Sequence, residues 1–143
     1  RRINDSMGQA IAQKLVKLLI AHGISPSHAR VGVMGLTFKQ DVPDIRNSKV
    51  PDILAELSEY GITALVHDPL AEPDAAMREY DIALSPADTL TDLDALVLAV
   101  NHADYLAQPA ALTARVRKGG VLVDVKSALD RDALPDGLVY WSL

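Results

Sequence analysis

Residues 30–66 run through a short apolar stretch, a helical period and a second apolar stretch, and this succession restricts the fold more than any other feature of the chain. Val31, Val33 and Met34 suit a buried strand, and Gly35 at its end permits close backbone approach. Beyond a loop, Ser48 is placed to cap a helix. Pro51 is tolerated in the first turn of that helix, and Val50, Ile53, Leu54 and Leu57 fall on one of its faces. Gly61 closes the helix, and residues 62–66 form the second strand, which runs into the turn His67-Asp68-Pro69. Strand, helix and strand over this span make a βαβ unit with a right-handed crossover.

The flanking sequence extends the pattern. Over residues 3–21, apolar positions recur at Ile3, Met7, Ile11, Leu15, Leu18 and Leu19, and Ala10, Ala12, Val16 and Ile20 widen the stripe. Such a helix packs either through one broad core face or on two sides, the second side meeting another subunit or an upstream domain. Gly23 ends it, and Ser25-Pro26 makes the loop that follows. Downstream, a short helix is expected at 71–80, a weak strand at 82–84, a buried strand at 96–100 and a helix at 110–116. Lys118-Gly119-Gly120 leads into a strand at 121–125, followed by a turn or short helix at 130–134 and a last strand at 138–141. Alternation of this kind implies an α/β fold with a Rossmann-like, doubly wound, mostly parallel sheet, preceded by a long N-terminal helix.

Composition narrows the function. At 143 residues and 49% hydrophobic content, the chain is expected to form one globular unit with a sizeable core. A net charge of -5 argues against nucleic acid as a partner, although a few cations at one loop can still grip a phosphate. Zero cysteines exclude disulfides, thiolate metal sites and a cysteine nucleophile within the chain. The histidines His22, His28 and His67 are too scattered to suggest a metal site. Without a long uncharged apolar run or a signal-peptide pattern, no membrane partner is expected, and the default location is the cytoplasm. A start without Met, directly in helical sequence, is expected of a piece of a longer polypeptide.

Ligands of such sheets bind beyond the carboxyl ends of the strands, where the strand order reverses. The candidates there are Phe38, Lys39 and Arg46 after the first strand, Asp68 after the second, Asn101 and His102 after the strand at 96–100, and Lys126 after the strand at 121–125. Converging cations suit a phosphate, and Phe38 can wall a base. Each has a structural alternative. Phe38 can be core, Lys39 and Lys126 simply solvated, Arg46 paired with Asp44, His102 structural and Asp68 part of a plain turn, the reading favoured for it here. Gly32-Val33-Met34-Gly35 lacks the third glycine and the spacing of the GxGxxG fingerprint, and Leu36-Thr37-Phe38-Lys39 fills the turn that pyrophosphate would approach. A complete dinucleotide site is therefore not expected in this chain.

Gly35-Leu36-Thr37-Phe38-Lys39 together with Asp44-Ile45-Arg46-Asn47-Ser48 resembles the C-terminal domain of the UDP-glucose/GDP-mannose dehydrogenase family. Within it, the similarity is to the bacterial UDP-N-acetylhexosamine (GlcNAc/GalNAc) 6-dehydrogenases of surface-polysaccharide synthesis. Ile3-Asn4-Asp5, His67-Asp68-Pro69, Asn101-His102 and Asp124-Val125-Lys126 extend the match along the chain. The resemblance implies a division into residues 1–23, the end of an interdomain helix that sits at a homodimer interface, and residues 24–143, a UDP-sugar-binding domain. It also implies an N-terminal domain that binds most of the NAD and a central domain that carries a catalytic cysteine, both outside this chain. Such enzymes oxidise a sugar primary alcohol to a carboxylate with two NAD+. By position, Phe38, Lys39 and Lys126 match UDP-sugar contacts and Arg46 matches a contact to NAD. Lys126 stands where many relatives have arginine, so it keeps the charge but loses the planar fork. No catalytic residue is assigned to this chain. Two other readings are a non-catalytic nucleotide-binding or regulatory module of similar fold, and a domain that serves mainly to dimerise.

Overall fold

The computed structural model describes residues 2–143, with side chains described from Ser6 onward. The side chains of Ile3, Asn4 and Asp5, invoked above, lie outside the described residues, as does Arg1. Helix α1 spans Arg2–Ala21. Ile11, Ala12, Leu15, Val16 and Leu19 are buried, whereas Ala10 is exposed and Ile20 is 60% exposed. Over its described length, α1 therefore uses one broad core face. Full burial of each large aliphatic side chain on it contributes about 1.5–3 kcal/mol.

Strand β1 is Val31–Met34, helix α2 is Val50–Ser58, strand β2 is Leu65–His67 and helix α3 is Pro73–Tyr80. Strand β3 is Leu93–Leu98, helices α4 and α5 are Ala103–Leu106 and Pro109–Thr113, strand β4 is Val116–Asp124 and strand β5 is Val139–Ser142. The strands pair in the order β2-β1-β3-β4-β5, and every pair is parallel. Side chains alternate between the two faces as the pleat requires. Val31, Val33, Ala95, Val97, Val121 and Val123 join the core under α1 and α2. Met34, Leu96, Leu98 and Leu122 join a second core with Tyr105 of α4 and Leu112 of α5. Helices thus cover both faces, which is the doubly wound arrangement.

Several boundaries differ from expectation. The second strand lies at Leu65–His67 rather than 62–66, because the Ile62 amide is taken up by the Leu57 carbonyl at the end of α2, at 3.1 Å, rather than by a neighbouring strand. The expected strand at 82–84 is reduced to one parallel bridge, between Leu84 and Val66. With that bridge counted as a vestigial outer strand, the order becomes 3-2-1-4-5-6, that of dinucleotide-binding sheets. The helix expected at 110–116 is α5, which ends early because Val116 already belongs to β4, and the short helix α4 ahead of Gln108-Pro109 is an addition to the expected elements. Strand β4 starts earlier than 121, its register to β3 shifting where the extra residues around Gly119-Gly120 are accommodated.

Candidate functional site

The sheet reverses direction between β1 and β3. From β1 the chain crosses by α2 to β2 on one side, and from β3 by α4 and α5 to β4 on the other. The loop leaving β1 opens at this point. Gly35 lies so close to Val100 that a Cβ there would stand 2.6 Å from Val100 Cβ, and its φ of +105° also excludes most side chains. Leu36 is fully buried beneath the loop. The path of residues 36–41 is then set by hydrogen bonds rather than by regular structure.

Asp68, at the end of β2, is the centre of that network. Its Oδ2 accepts from the Leu36 amide at 2.6 Å, the Thr37 amide at 3.0 Å and His102 Nε2 at 2.9 Å. Its Oδ1 accepts from the amides of Leu70 at 2.8 Å and Ala71 at 3.2 Å. The Asp41 amide donates to His102 Nδ1 at 2.9 Å, so that nitrogen carries no proton and the ring is the Nε2–H tautomer. Thr37 donates its hydroxyl to the Lys39 carbonyl at 3.1 Å, and Asp41 Oδ1 accepts from the Ala103 amide at the start of α4 at 2.8 Å. Burial alone would push the Asp68 carboxyl up, but the amide and ring N–H donors outweigh it and hold the group below the ordinary carboxylate range. The buried charge is therefore an ionised one, satisfied by donors from both neighbouring loops. Asp68 is a turn residue as expected, and in addition a clamp on the β1 loop; His102, only 1% exposed, is structural.

Between the clamped ends, Phe38 is 53% exposed, so the reading of it as core is wrong. It leaves the interior because Leu36 and Thr37 already fill the positions beneath the loop. Lys39 and Lys126 are both exposed, and neither ammonium group has a protein partner among the described residues. Their loops leave the same carboxyl edge, from β1 and β4, with β3 between those strands. Arg46 makes a bidentate pair with Asp44, through Nε at 3.0 Å and Nη2 at 2.9 Å. The guanidinium hydrogen bonds lower the Asp44 carboxyl from 3.8 to about 2. An NMR titration is expected to place the Asp44 midpoint there, and Arg46→Ala to return it towards 3.8; an unchanged midpoint would show that the pair does not persist in solution.

A second buried aspartate was missed by sequence reasoning as a site residue. Asp124, fully buried at the end of β4, accepts from the amides of Ala128 at 3.0 Å and Leu129 at 2.9 Å and from the Tyr140 hydroxyl at 2.6 Å. It thereby holds the loop that carries Lys126, in which Ser127 adopts φ +52°. Burial, followed by the hydrogen bond to Asp124, pushes the Tyr140 hydroxyl up to about 12. The signal available in the sequence was positional: a lone aspartate directly after the apolar run Val121, Leu122 and Val123.

Nearby, the Tyr105 hydroxyl donates to the His67 carbonyl at 2.9 Å, which leaves His67 Nδ1–H to donate to the tyrosine oxygen at 2.9 Å. Burial lowers the His67 ring and raises the Tyr105 hydroxyl. This pair borders a cavity of about 300 Å³ lined by Met34, Pro69 and Leu112 among others. A larger cavity of about 910 Å³ lies between α5 and the segment before β5. Phe38, Lys39, Arg46 and Lys126 line neither, and all four are exposed.

The residues present do not build a nicotinamide-dinucleotide site. Residues 35–49 separate β1 from α2 where a tight glycine turn is required, Ser48 Oγ caps the Val50 amide at 3.1 Å, and Asp52 puts a carboxylate in the first turn of α2. Among the described residues, no group of three or more His, Asp and Glu side chains is arranged to hold a metal ion, and no helix is long and apolar enough to cross a membrane.

A parallel sheet in this order, with helices on both faces, defines a Rossmann-like domain. Residues 32–131 match the UDP-glucose/GDP-mannose dehydrogenase family, UDP binding domain, and the chain belongs to that family. It is 36% identical over its whole length to "Protein CapL" of Staphylococcus aureus, covering 34% of that protein. It is 41% identical, over 92% of its length, to the UDP-N-acetyl-D-glucosamine 6-dehydrogenase of Pseudomonas aeruginosa, covering 32% of it. The chain thus spans about a third of the length of these relatives. In fold it is similar to the NDP-N-acetyl-D-galactosaminuronic acid dehydrogenase of Methanosarcina mazei, with a TM-score of 0.81 and 21% identity, covering 99% of this chain and 30% of that one.

Proposed function

We propose that this chain is the nucleotide-sugar half of an NAD-dependent UDP-sugar 6-dehydrogenase that converts a UDP-N-acetylhexosamine to the corresponding uronate for polysaccharide synthesis in the cytoplasm. The observation that carries this reading is the pair of lysines, Lys39 and Lys126, unpartnered among the described residues and on the carboxyl edge after β1 and β4, with Phe38 exposed beside one of them. Lys39 and Lys126 bind the diphosphate and Phe38 walls the nucleoside, placing the sugar alcohol against a cysteine and a nicotinamide that belong to other domains of the same enzyme. Arg46 exchanges Asp44 for the NAD held by the N-terminal domain. Family membership and the similarity to the Pseudomonas enzyme support the substrate class. Assembly as a homodimer through α1 belongs to the same proposal; its described outer side carries Ser6, Gln9, Gln13 and Lys17 around Ile20, and a strict monomer at high concentration in sedimentation would count against it.

Isothermal titration tests the binding role. UDP is expected to bind the wild-type chain, and Lys39→Ala to weaken it by about 1.5–3 kcal/mol, the worth of a charge-assisted hydrogen bond. No binding of UDP, or equal binding by the variant, would remove this reading.

A further inference from the structure

Two buried aspartates close two strands of the same sheet edge, and each holds a loop that presents one exposed lysine. Asp68 accepts the amides of Leu36 and Thr37 and the ring of His102, and so fixes the start of the loop that carries Lys39. Asp124 accepts the amides of Ala128 and Leu129 and the Tyr140 hydroxyl, and so fixes the loop that carries Lys126. Neither carboxylate is exposed, and neither pairs with the lysine on its own loop. Lysine is a flexible point charge, so its usefulness for gripping a diphosphate depends on how firmly its backbone is held.

Resting on the UDP-binding reading above, the geometry points to Asp68 and Asp124, acting with Thr37 and Tyr140, as positioning residues that pre-set the spacing of the two lysines. They act through main-chain amides and touch no ligand. Thr37 is the most direct link, since its hydroxyl holds the carbonyl of Lys39 itself. Tyr140 is the corresponding link on the other loop, reaching across from β5 to Asp124.

The test avoids the buried aspartates, whose replacement endangers the fold, and uses Thr37→Val and Tyr140→Phe, each of which removes one hydroxyl. UDP titrations are expected to show each variant binding about tenfold more weakly, the scale of loss for a misplaced contact group, while circular dichroism and the melting transition stay close to wild type. Thr37→Ser is expected to restore affinity. In a Lys39→Ala background, Thr37→Val is expected to have no further effect, because the lysine through which it acts is gone. Unchanged UDP affinity in both Thr37→Val and Tyr140→Phe, or the same tenfold loss from Thr37→Val with Lys39 already removed, would overturn the positioning role while leaving a Lys39 contact intact. A wild-type chain that does not bind UDP would instead overturn the binding reading, and the positioning role with it.

Discussion

Replacing Asp68 by alanine is expected to destabilise the domain by about 3 kcal/mol or more, because it leaves the Leu36, Thr37 and His102 N–H groups facing a site that water reaches poorly. Against a typical domain stability of about 5–15 kcal/mol, that is a large fraction of the whole. Urea denaturation measures it directly; a loss under about 1 kcal/mol would mean that the loop rearranges to satisfy those donors elsewhere. The same carboxylate sets an acid limit. Its folded-state pKa lies below the ordinary 3.8, so between the two values the unfolded chain binds the proton and the folded one does not. Stability from this group is thus complete above about pH 4 and is lost as pH falls through the lowered folded value. Asp94, which accepts from the Arg30 amide at 2.7 Å and pairs with Arg117, is shifted in the same direction and adds to the acid slope. The slope is expected to be shallower in Asp68→Ala.

Gly35→Ala is expected to be of similar size for a different reason. The new Cβ would sit 2.6 Å from Val100 Cβ and 2.7 Å from the Val100 amide nitrogen, and the residue would have to keep a φ of +105°. Overpacking and backbone strain together cost about 4 kcal/mol, and β1 and the exit of β3 must separate to admit the methyl group. Gly23 provides the control: it also has positive φ, at +78°, but nothing lies within 4 Å of the added Cβ, so Gly23→Ala is expected to cost only about 1 kcal/mol. Equal melting temperatures for the two variants would show that contact with Val100 is not what selects glycine at position 35.

Much of the architecture was legible in residue order. The apolar runs 31–34 and 96–100, the period of α1 and the glycines after two helices sufficed for a parallel, doubly wound sheet, because periodicity is a property of neighbouring residues and reports directly which face is buried. The second strand was misplaced because Ile62 reads as strand by itself, and only the structure shows its amide bonded back to Leu57 of α2. Residue order favoured core for Phe38, yet the side chain is exposed. Nothing local says that Leu36 takes the interior position first.

The sequence by itself determined the layers and the parallel crossover, since these follow from side-chain period and connection length. The tertiary structure alone decided that Asp68 meets His102, 34 positions away, that Asp124 meets Tyr140 of the next strand, and that Arg46 is paired while the two lysines have no partner among the described residues. Those contacts depend on which strands become neighbours and in what register, and a buried carboxylate acquires its donors only after that assembly is complete.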